Sequence, residues 1–184
     1  MLYQRQDSMF RGKRVVLRAF TDGDAEVMHR FVNDEATMRQ MLAGMPYPST
    51  LRDEMQWVGQ QSSYTRGEYH FAVENEAGAF IGRCGLIRLD WKNRVAELGM
   101  MIGAPYQHQG YGSEALVLLC RFCFAQLNLN RLVVRVFAGH GAAIRCYEKA
   151  GFQREGLLRE EVYRDGRYQD VLVMGLLQRE CPDA

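Results

Sequence analysis

Several features that would assign a protein to a compartment or a partner are missing from this sequence. No apolar run approaches the ~20 residues of a membrane span, and residues 1–14 lack the apolar core of a secretory signal. The net charge of +1 gives no overall field that would attract nucleic acid or an anionic membrane. Five cysteines, an odd number without framework spacing, predict a reducing cytoplasm rather than disulfides. The four histidines lack metal-ligand spacing, so no metal is expected.

Apolar periodicity predicts one α/β (α+β) domain of 184 residues, with elements in the order β-α-α-β-β-β-α-β-α-β-β. Thr21 is expected to cap the first helix, with Asp24 at the acidic position of a capping box. Pro46 and Pro48 interrupt any helix before the second one, which a Ser49/Thr50 cap starts and which ends near Ser62. The predicted strands cover residues 14–19, 69–74, 80–89, 95–103, 131–138, 152–163 and 168–177.

A glycine-rich loop in residues 102–115 (IGAPYQHQGYGSEA) joins a predicted strand to a predicted helix. Free backbone N–H groups and the helix dipole favour an anion there. Gly110 to Ala115 fits the G-x-G-x-x-G/A dinucleotide loop, but no acidic residue occurs from Ala115 to Tyr147, where that fold needs one. A nucleotide triphosphate loop needs Gly-Lys-Ser/Thr, which is absent. From the loop alone, a tight connection without any ligand stays open.

Four motifs, in the same order as in one known family, indicate a resemblance over nearly the whole chain. Residues 107–112 (QHQGYG) resemble the Q/R-x-x-G-x-G/A pyrophosphate loop of the GNAT superfamily of acetyl-CoA-dependent N-acetyltransferases, and residues 143–152 (AIRCYEKAGF) resemble its A-I-x-x-Y-x-K-x-G-F segment. Residues 12–18 and 163–170 are similar to the branch with ribosomal-protein alanine acetyltransferases and spermidine acetyltransferases. One position departs from the pattern, because His140 stands where the family usually has asparagine.

The resemblance implies a fold and a reaction. The fold is a GNAT-like, mixed, twisted sheet that is splayed centrally, between its fourth and fifth strands, and flanked by helices. Acetyl-CoA is the implied co-substrate and CoA the product. The implied acceptor is a primary amine, on a protein N-terminus, a polyamine or another small amine. The alternative is a catalytically silent, CoA-binding sensor or interaction module, which the His140 substitution keeps open. Homodimers are common among relatives, although nothing in the sequence shows one.

Two residues match catalytic positions of the family. Glu97 is the implied general base for an amine that is protonated at pH 7. Its alternative role is a salt bridge to Arg83, Arg88 or Arg94. Tyr147 is the implied acid beside the leaving sulfur, and its alternative role is that of a buried aromatic.

The implied cofactor site combines loop, strand and helix. Loop N–H groups suit the pyrophosphate, with glycines that let the backbone approach it, and a strand edge suits the pantetheine amides. A backbone N–H of that edge could also stabilise the oxyanion. The implied cofactor-binding residues are Met101, Ile102, Gln107, His108, Gln109, Gly110, Tyr111, Gly112, Ser113, His140, Ala143 and Tyr147.

The acceptor is not named by any motif. Residues 33–50, the loop 90–94 and the C-terminal hairpin are expected to face it, with Tyr163, Tyr168 and Asp170 at the border. The adjacent acids Asp34 and Glu35 are slight support for a polycation. The pair Cys120-x-x-Cys123 lies in a helical apolar pattern and predicts core packing, and Cys146 lacks the His–acid pair that would activate a nucleophile.

Overall fold

The computed structural model describes residues 9–41, 47–61 and 69–181. Pro46 and the predicted helix end at Ser62 lie outside these ranges. Within the described residues, no helix is long and apolar enough to cross a membrane. The strands are β1 (Val15–Arg18), β2 (His70–Asn75), β3 (Phe80–Asp90), β4 (Val95–Ile102), β5 (Arg131–Phe137), β6 (Gln153–Arg164) and β7 (Arg167–Leu177). The helices are α1 (Asp24–Val32), α2 (Glu35–Gln40), α3 (Leu51–Gln61), α4 (Tyr111–Ala125) and α5 (Gly141–Lys149).

The strands form one sheet in the order β1-β2-β3-β4-β5-β7-β6. Every neighbouring pair is antiparallel except β4 and β5, which are parallel. Their pairing begins at Val95 with Arg131 and stops at Leu98 with Val134. Beyond that point β4 continues to Ile102 without β5. The predicted central splay between the fourth and fifth strands is confirmed.

Helices cover both faces of the sheet, and side chains of β4 pack against the helices on both faces. Ala96 and Leu98 pack in the cluster under α4 and α5, while Met101 packs in the cluster under α1 and α3. Because side chains alternate along a strand, Glu97 and Gly99 share the α1/α3 face with Met101. Each fully buried leucine or valine contributes about 1.5–3 kcal/mol. Cys120 and Cys123 are buried in the α4 layer, as predicted, and burial raises the pKa of Cys123 to about 12.

One short helix escaped the prediction. Helix α2 has six residues, and Asp34 caps it by accepting a hydrogen bond from the Thr37 N–H at 2.8 Å. Six residues are too few for a recognisable apolar period, so only the cap marks the helix.

The first predicted cap is also different. Helix α1 begins at Asp24, its N-cap is Gly23, and no side chain caps it. Asp24 Oδ2 does accept from Thr21 N–H at 2.8 Å, so only the acidic half of the predicted box forms there.

The predicted cap of the second helix holds, and the turn between β6 and β7 has the geometry of a tight hairpin. Thr50 and Asp53 exchange the two hydrogen bonds of a capping box at the start of α3, at 3.2 Å and 3.1 Å. Asp165 and Gly166 both have positive φ, as the tight turn between β6 and β7 requires.

Candidate active site

The site is built around the gap that opens where β4 and β5 part. Glu97 is paired with Val133 one step before the pairing ends, so it stands at the closed end of the gap. Residues 99–102 of β4 have no strand partner on the β5 side within the described part of the chain. The backbone groups that point to that side, apart from Ile102 O, can therefore pair with an extended amide-bearing ligand.

The N-terminus of α4 provides an anion site beside this gap. Its N-cap, Gly110, has φ +89°, a left-handed conformation that glycine adopts without strain. The first helix bond that crosses the cap runs from Glu114 N–H to Gly110 O at 3.2 Å. The N–H groups of Tyr111, Gly112 and Ser113 thus lack an acceptor within their own helix. Together with the helix dipole they suit a pyrophosphate, and this is the fit expected for CoA.

The side chains of the loop mostly hold its own backbone. Gln107 Nε2 donates to Ile102 O, and Gln109 Nε2 donates to Pro105 O, both at 2.8 Å. The Tyr111 ring is buried and its hydroxyl donates to Glu76 Oε1 at 3.2 Å. These three side chains are therefore engaged within the protein. A ligand at the loop would bind to the backbone N–H groups.

The structure does not require glycine equally at positions 110 and 112. A Cβ on Gly110 would lie 2.8 Å from Arg14 Nη2, in addition to the strain of its φ. A Cβ on Gly112 would meet nothing nearer than Met100 Cε at 3.4 Å, which is an ordinary contact. The protein itself therefore requires glycine only at 110.

Helix α5 brings a second N-terminus towards the first. Ser113 Oγ lies 3.3 Å from Cys146 Sγ and joins the two helices. His140 is the N-cap of α5 but makes no side-chain cap bond, and Ala143 lies half-buried in the first turn. Burial, together with a smaller electrostatic effect of nearby His108, lowers the pKa of His140. The loop and the start of α5 therefore converge.

Tyr147 lies on α5 with only 8% of its surface exposed, and its ring packs 5.9 Å from that of Phe152. No described residue forms a hydrogen bond with its hydroxyl. Burial, with a smaller effect of Cys146, raises the pKa of the phenol. The hydroxyl thus keeps its proton near neutral pH and can donate it in a hydrogen bond.

Glu97 is half-buried and forms no ion pair within the described residues. Two of the three arginines that were weighed as partners are engaged elsewhere. Arg94 donates to Asn128 O at 2.5 Å, and the Arg83 guanidinium lies 4.3 Å from the centre of the Trp57 ring. Arg88 is the cross-strand partner of Glu97 on β3 but forms no ion pair with it, so the carboxylate is available at the gap.

The acceptor-facing segments are only partly brought together. The hairpin tip reaches α2, because Arg164 Nη1 donates to Met38 O at 3.1 Å and to Met41 O at 3.2 Å. The loop 90–94 instead precedes the paired end of β4, away from the open part of the gap. Part of the predicted segment 33–50, residues 42–46, lies outside the described residues.

The acidic side chains singled out in the sequence have structural partners. Asp34 caps α2, and its hydrogen bonds from Thr37 lower its pKa. Glu35 forms an ion pair with Arg39 at 2.5 Å. Asp170 Oδ1 accepts from the Glu160 N–H at 2.8 Å. Asp34 and Glu35 therefore give less support for a polycation than the sequence suggested.

Arg14 supports the backbone of the anion loop. The sequence did not identify this residue, although it lies in one of the four motifs. Its Nη2 donates to Gln109 O at 2.8 Å, directly behind the anion loop. No group of three or more His, Cys, Asp or Glu side chains within the described residues could hold a metal ion.

Comparisons with known proteins agree with this geometry. The family model for the acetyltransferase (GNAT) domain matches residues 14–153. The chain belongs to the GNAT family of acetyltransferases. It is 31% identical over 165 residues to spermidine N(1)-acetyltransferase of Vibrio cholerae, covering 90% of this chain and 94% of that protein. It is also 31% identical over 169 residues to an uncharacterized N-acetyltransferase, p20, of Bacillus licheniformis, covering 91% and 95%.

Solved GNAT structures share the fold. The crystal structure of spermidine N-acetyltransferase from Vibrio cholerae in complex with CoA and spermine superposes with a TM-score of 0.83 at 28% identity, covering 92% of this chain and 98% of that one. As a GNAT acetyltransferase, the protein uses acetyl-CoA and acetylates an amine.

Proposed function

We propose that the acceptor is a small polyamine such as spermidine, acetylated on a primary amine, and that Glu97 and Tyr147 carry the proton chemistry. The proposal rests chiefly on the gap between β4 and β5. Glu97 stands at its closed end on the α1/α3 face, and Tyr147 lies in the α4/α5 layer on the other face. Relatives of similar length that are named spermidine acetyltransferases support the choice of acceptor.

Each residue has one task in this scheme. Acetyl-CoA supplies an acetyl group that is already activated as a thioester. Glu97 takes a proton from the ammonium group of the acceptor, directly or through a water, because an alkyl ammonium has a pKa of about 10.4. The amine nitrogen then forms its bond to the acetyl carbon and loses its second proton to solvent as the carbon–sulfur bond breaks. The Tyr147 hydroxyl gives its proton to the departing sulfur, whose free thiol has a pKa of about 8.5, and regains a proton from solvent.

The remaining partners and the compartment belong to the same proposal. The five cysteines are all free thiols, which supports a reducing cytoplasm. The net charge of +1 favours neither nucleic acid nor a membrane as a partner. A homodimer stays a prediction, to be checked by light scattering of the purified protein.

The test is CoA-thiol release from acetyl-CoA with spermidine, spermine, an alanine-terminated peptide or no acceptor. Turnover with the polyamines supports the proposal. Turnover with the peptide alone would move the acceptor to protein N-termini. Calorimetry of CoA binding completes the test, because tight binding without turnover on any acceptor would favour the sensor alternative. Absence of CoA binding would overturn both.

A further inference from the structure

Arg14, directly before β1, holds the loop before α4 from outside. Its Nη2 donates to Gln109 O at 2.8 Å, and its guanidinium carbon lies 4.8 Å from the centre of the Tyr111 ring. A Cβ on Gly110 would come within 2.8 Å of the same Nη2. One guanidinium thus contacts three consecutive residues at the turn from which α4 begins.

Arg14 also engages Glu114, the acidic residue in the first turn of α4. Its own N–H donates to Glu114 Oε1 at 2.7 Å, and its Nε lies 3.7 Å from Oε2. The N–H of Val15 lies 3.4 Å from the same Oε1. A Cβ on Gly12 would lie 2.2 Å from this oxygen, so the bare backbone at Gly12 makes room for the carboxylate.

This arrangement solves an electrostatic conflict. A carboxylate in the first turn of a helix stabilises the helix but repels an anion bound at the same N-terminus. An arginine and two backbone N–H groups draw the Glu114 carboxylate towards β1 and offset its charge. Since the Arg14 side chain is 44% exposed, this ion pair contributes little to folding.

We infer that Arg14 is a positioning residue for the CoA diphosphate: it fixes the Gln109–Gly110 backbone and offsets the charge of Glu114. The inference rests on the proposed function, because it needs the anion at α4 to be CoA. Only arginine suits this place, since its planar fork can reach a carbonyl and a carboxylate while its face covers a ring. Lysine would keep the charge and lose the fork.

The test is calorimetry of CoA binding and steady-state kinetics with Arg14→Met. We expect the Kd of CoA and the KM of acetyl-CoA to rise about ten-fold, with kcat at saturation changed less than about two-fold. Arg14→Lys should lose about three-fold, because the charge remains. Arg11→Met is the matched control. Arg11 is exposed three positions away, and no described residue forms a hydrogen bond or an ion pair with its side chain.

A double variant separates the two roles. Adding Glu114→Gln to Arg14→Met removes the uncompensated carboxylate and should recover part of the CoA affinity. Affinity equal to wild type in Arg14→Met, or an equal loss in Arg11→Met, would overturn the inference. If Arg14→Met folds poorly, Arg14→Lys alone tests the inference. Unchanged CoA affinity in Arg14→Lys would show that the planar guanidinium is not required. Wild-type protein that binds no CoA would instead overturn the proposed function.

Discussion

The two sides of the gap between β4 and β5 are built in different ways. On the cofactor side, which comprises residues 107–113 with the starts of α4 and α5, polar side chains hold the backbone. Gln107, Gln109 and Arg14 each donate to a main-chain carbonyl at 2.8 Å. The protein thereby fixes where the free N–H groups at the start of α4 point.

On the side proposed to face the acceptor, which comprises α2 and the tip of the β6–β7 hairpin, some charged side chains pair with each other and others with the backbone. Glu35 pairs with Arg39 at 2.5 Å, and Arg164 Nη1 donates to Met38 O at 3.1 Å. Tyr163 and Tyr168 are 62% and 63% exposed at the hairpin tip. Binding a ligand through backbone groups requires the fold and a glycine at the turn, whereas selecting a ligand through side chains requires particular residues. The cofactor can therefore be inferred from the sequence and the acceptor cannot.

The sharpest test of this division removes the hydroxyl of Tyr147. With Tyr147→Phe we expect kcat to fall about 100-fold, in the range of a lost general acid. The Kd of CoA should stay within about two-fold of wild type, because the substitution leaves untouched the loop backbone that is proposed to bind the pyrophosphate. Steady-state kinetics and calorimetry measure the two quantities.

Tyr69→Phe is the matched control, since it deletes a hydroxyl from a ring that packs against Trp91 and Phe122. It should leave kcat unchanged. Equal loss of kcat in both variants would show that Tyr147 acts only through packing.

Removing the charge of Glu97 tests the side of the gap that is proposed to face the acceptor. At pH 7 we expect Glu97→Gln to lower kcat/KM for the amine about ten-fold or more, because the protonated amine then lacks a base. The defect should shrink as pH rises towards the amine pKa of about 10.4, where the nucleophile is already neutral. A pH–rate profile provides the check. A defect of constant size at every pH would mean that Glu97 serves binding and not proton transfer.

Glycine substitutions test the cofactor side without any ligand. Gly110→Ala should lower the free energy of unfolding by about 1–2 kcal/mol, since alanine is strained at φ +89° and its Cβ would crowd Arg14. Gly112→Ala is the matched control and should leave stability unchanged or raise it by about 0.5 kcal/mol, as expected within a helix. Urea unfolding measures both. Equal losses would mean that the whole turn, and not one backbone conformation, demands glycine.

These contrasts explain what the sequence predicted and what it could not. The sequence of strands and longer helices along the chain, the splay and the loop at Gly110 follow from apolar periods and the family pattern, because they depend on backbone geometry. Helix α2 was missed because its only mark is the Asp34 cap. The role of Arg14 was invisible because it depends on contacts with residues about a hundred positions away. No local pattern records such a pairing.

The smallest effect concerns His140, the departure from the family pattern on the cofactor side. Burial, with a smaller electrostatic effect of His108, lowers its pKa below the value of about 6.5 that an unfolded histidine has. Between those two pKa values the unfolded chain binds more protons than the folded one, so stability falls as pH decreases through that window. In His140→Asn this contribution disappears. Urea unfolding at pH 7.5 and pH 5 should therefore show a smaller acid loss in the variant, by less than about 1.4 kcal/mol. His108→Asn should remove only part of this loss of stability, because His140 remains buried. An identical loss between pH 7.5 and pH 5 in all three proteins would assign the pH dependence to other groups.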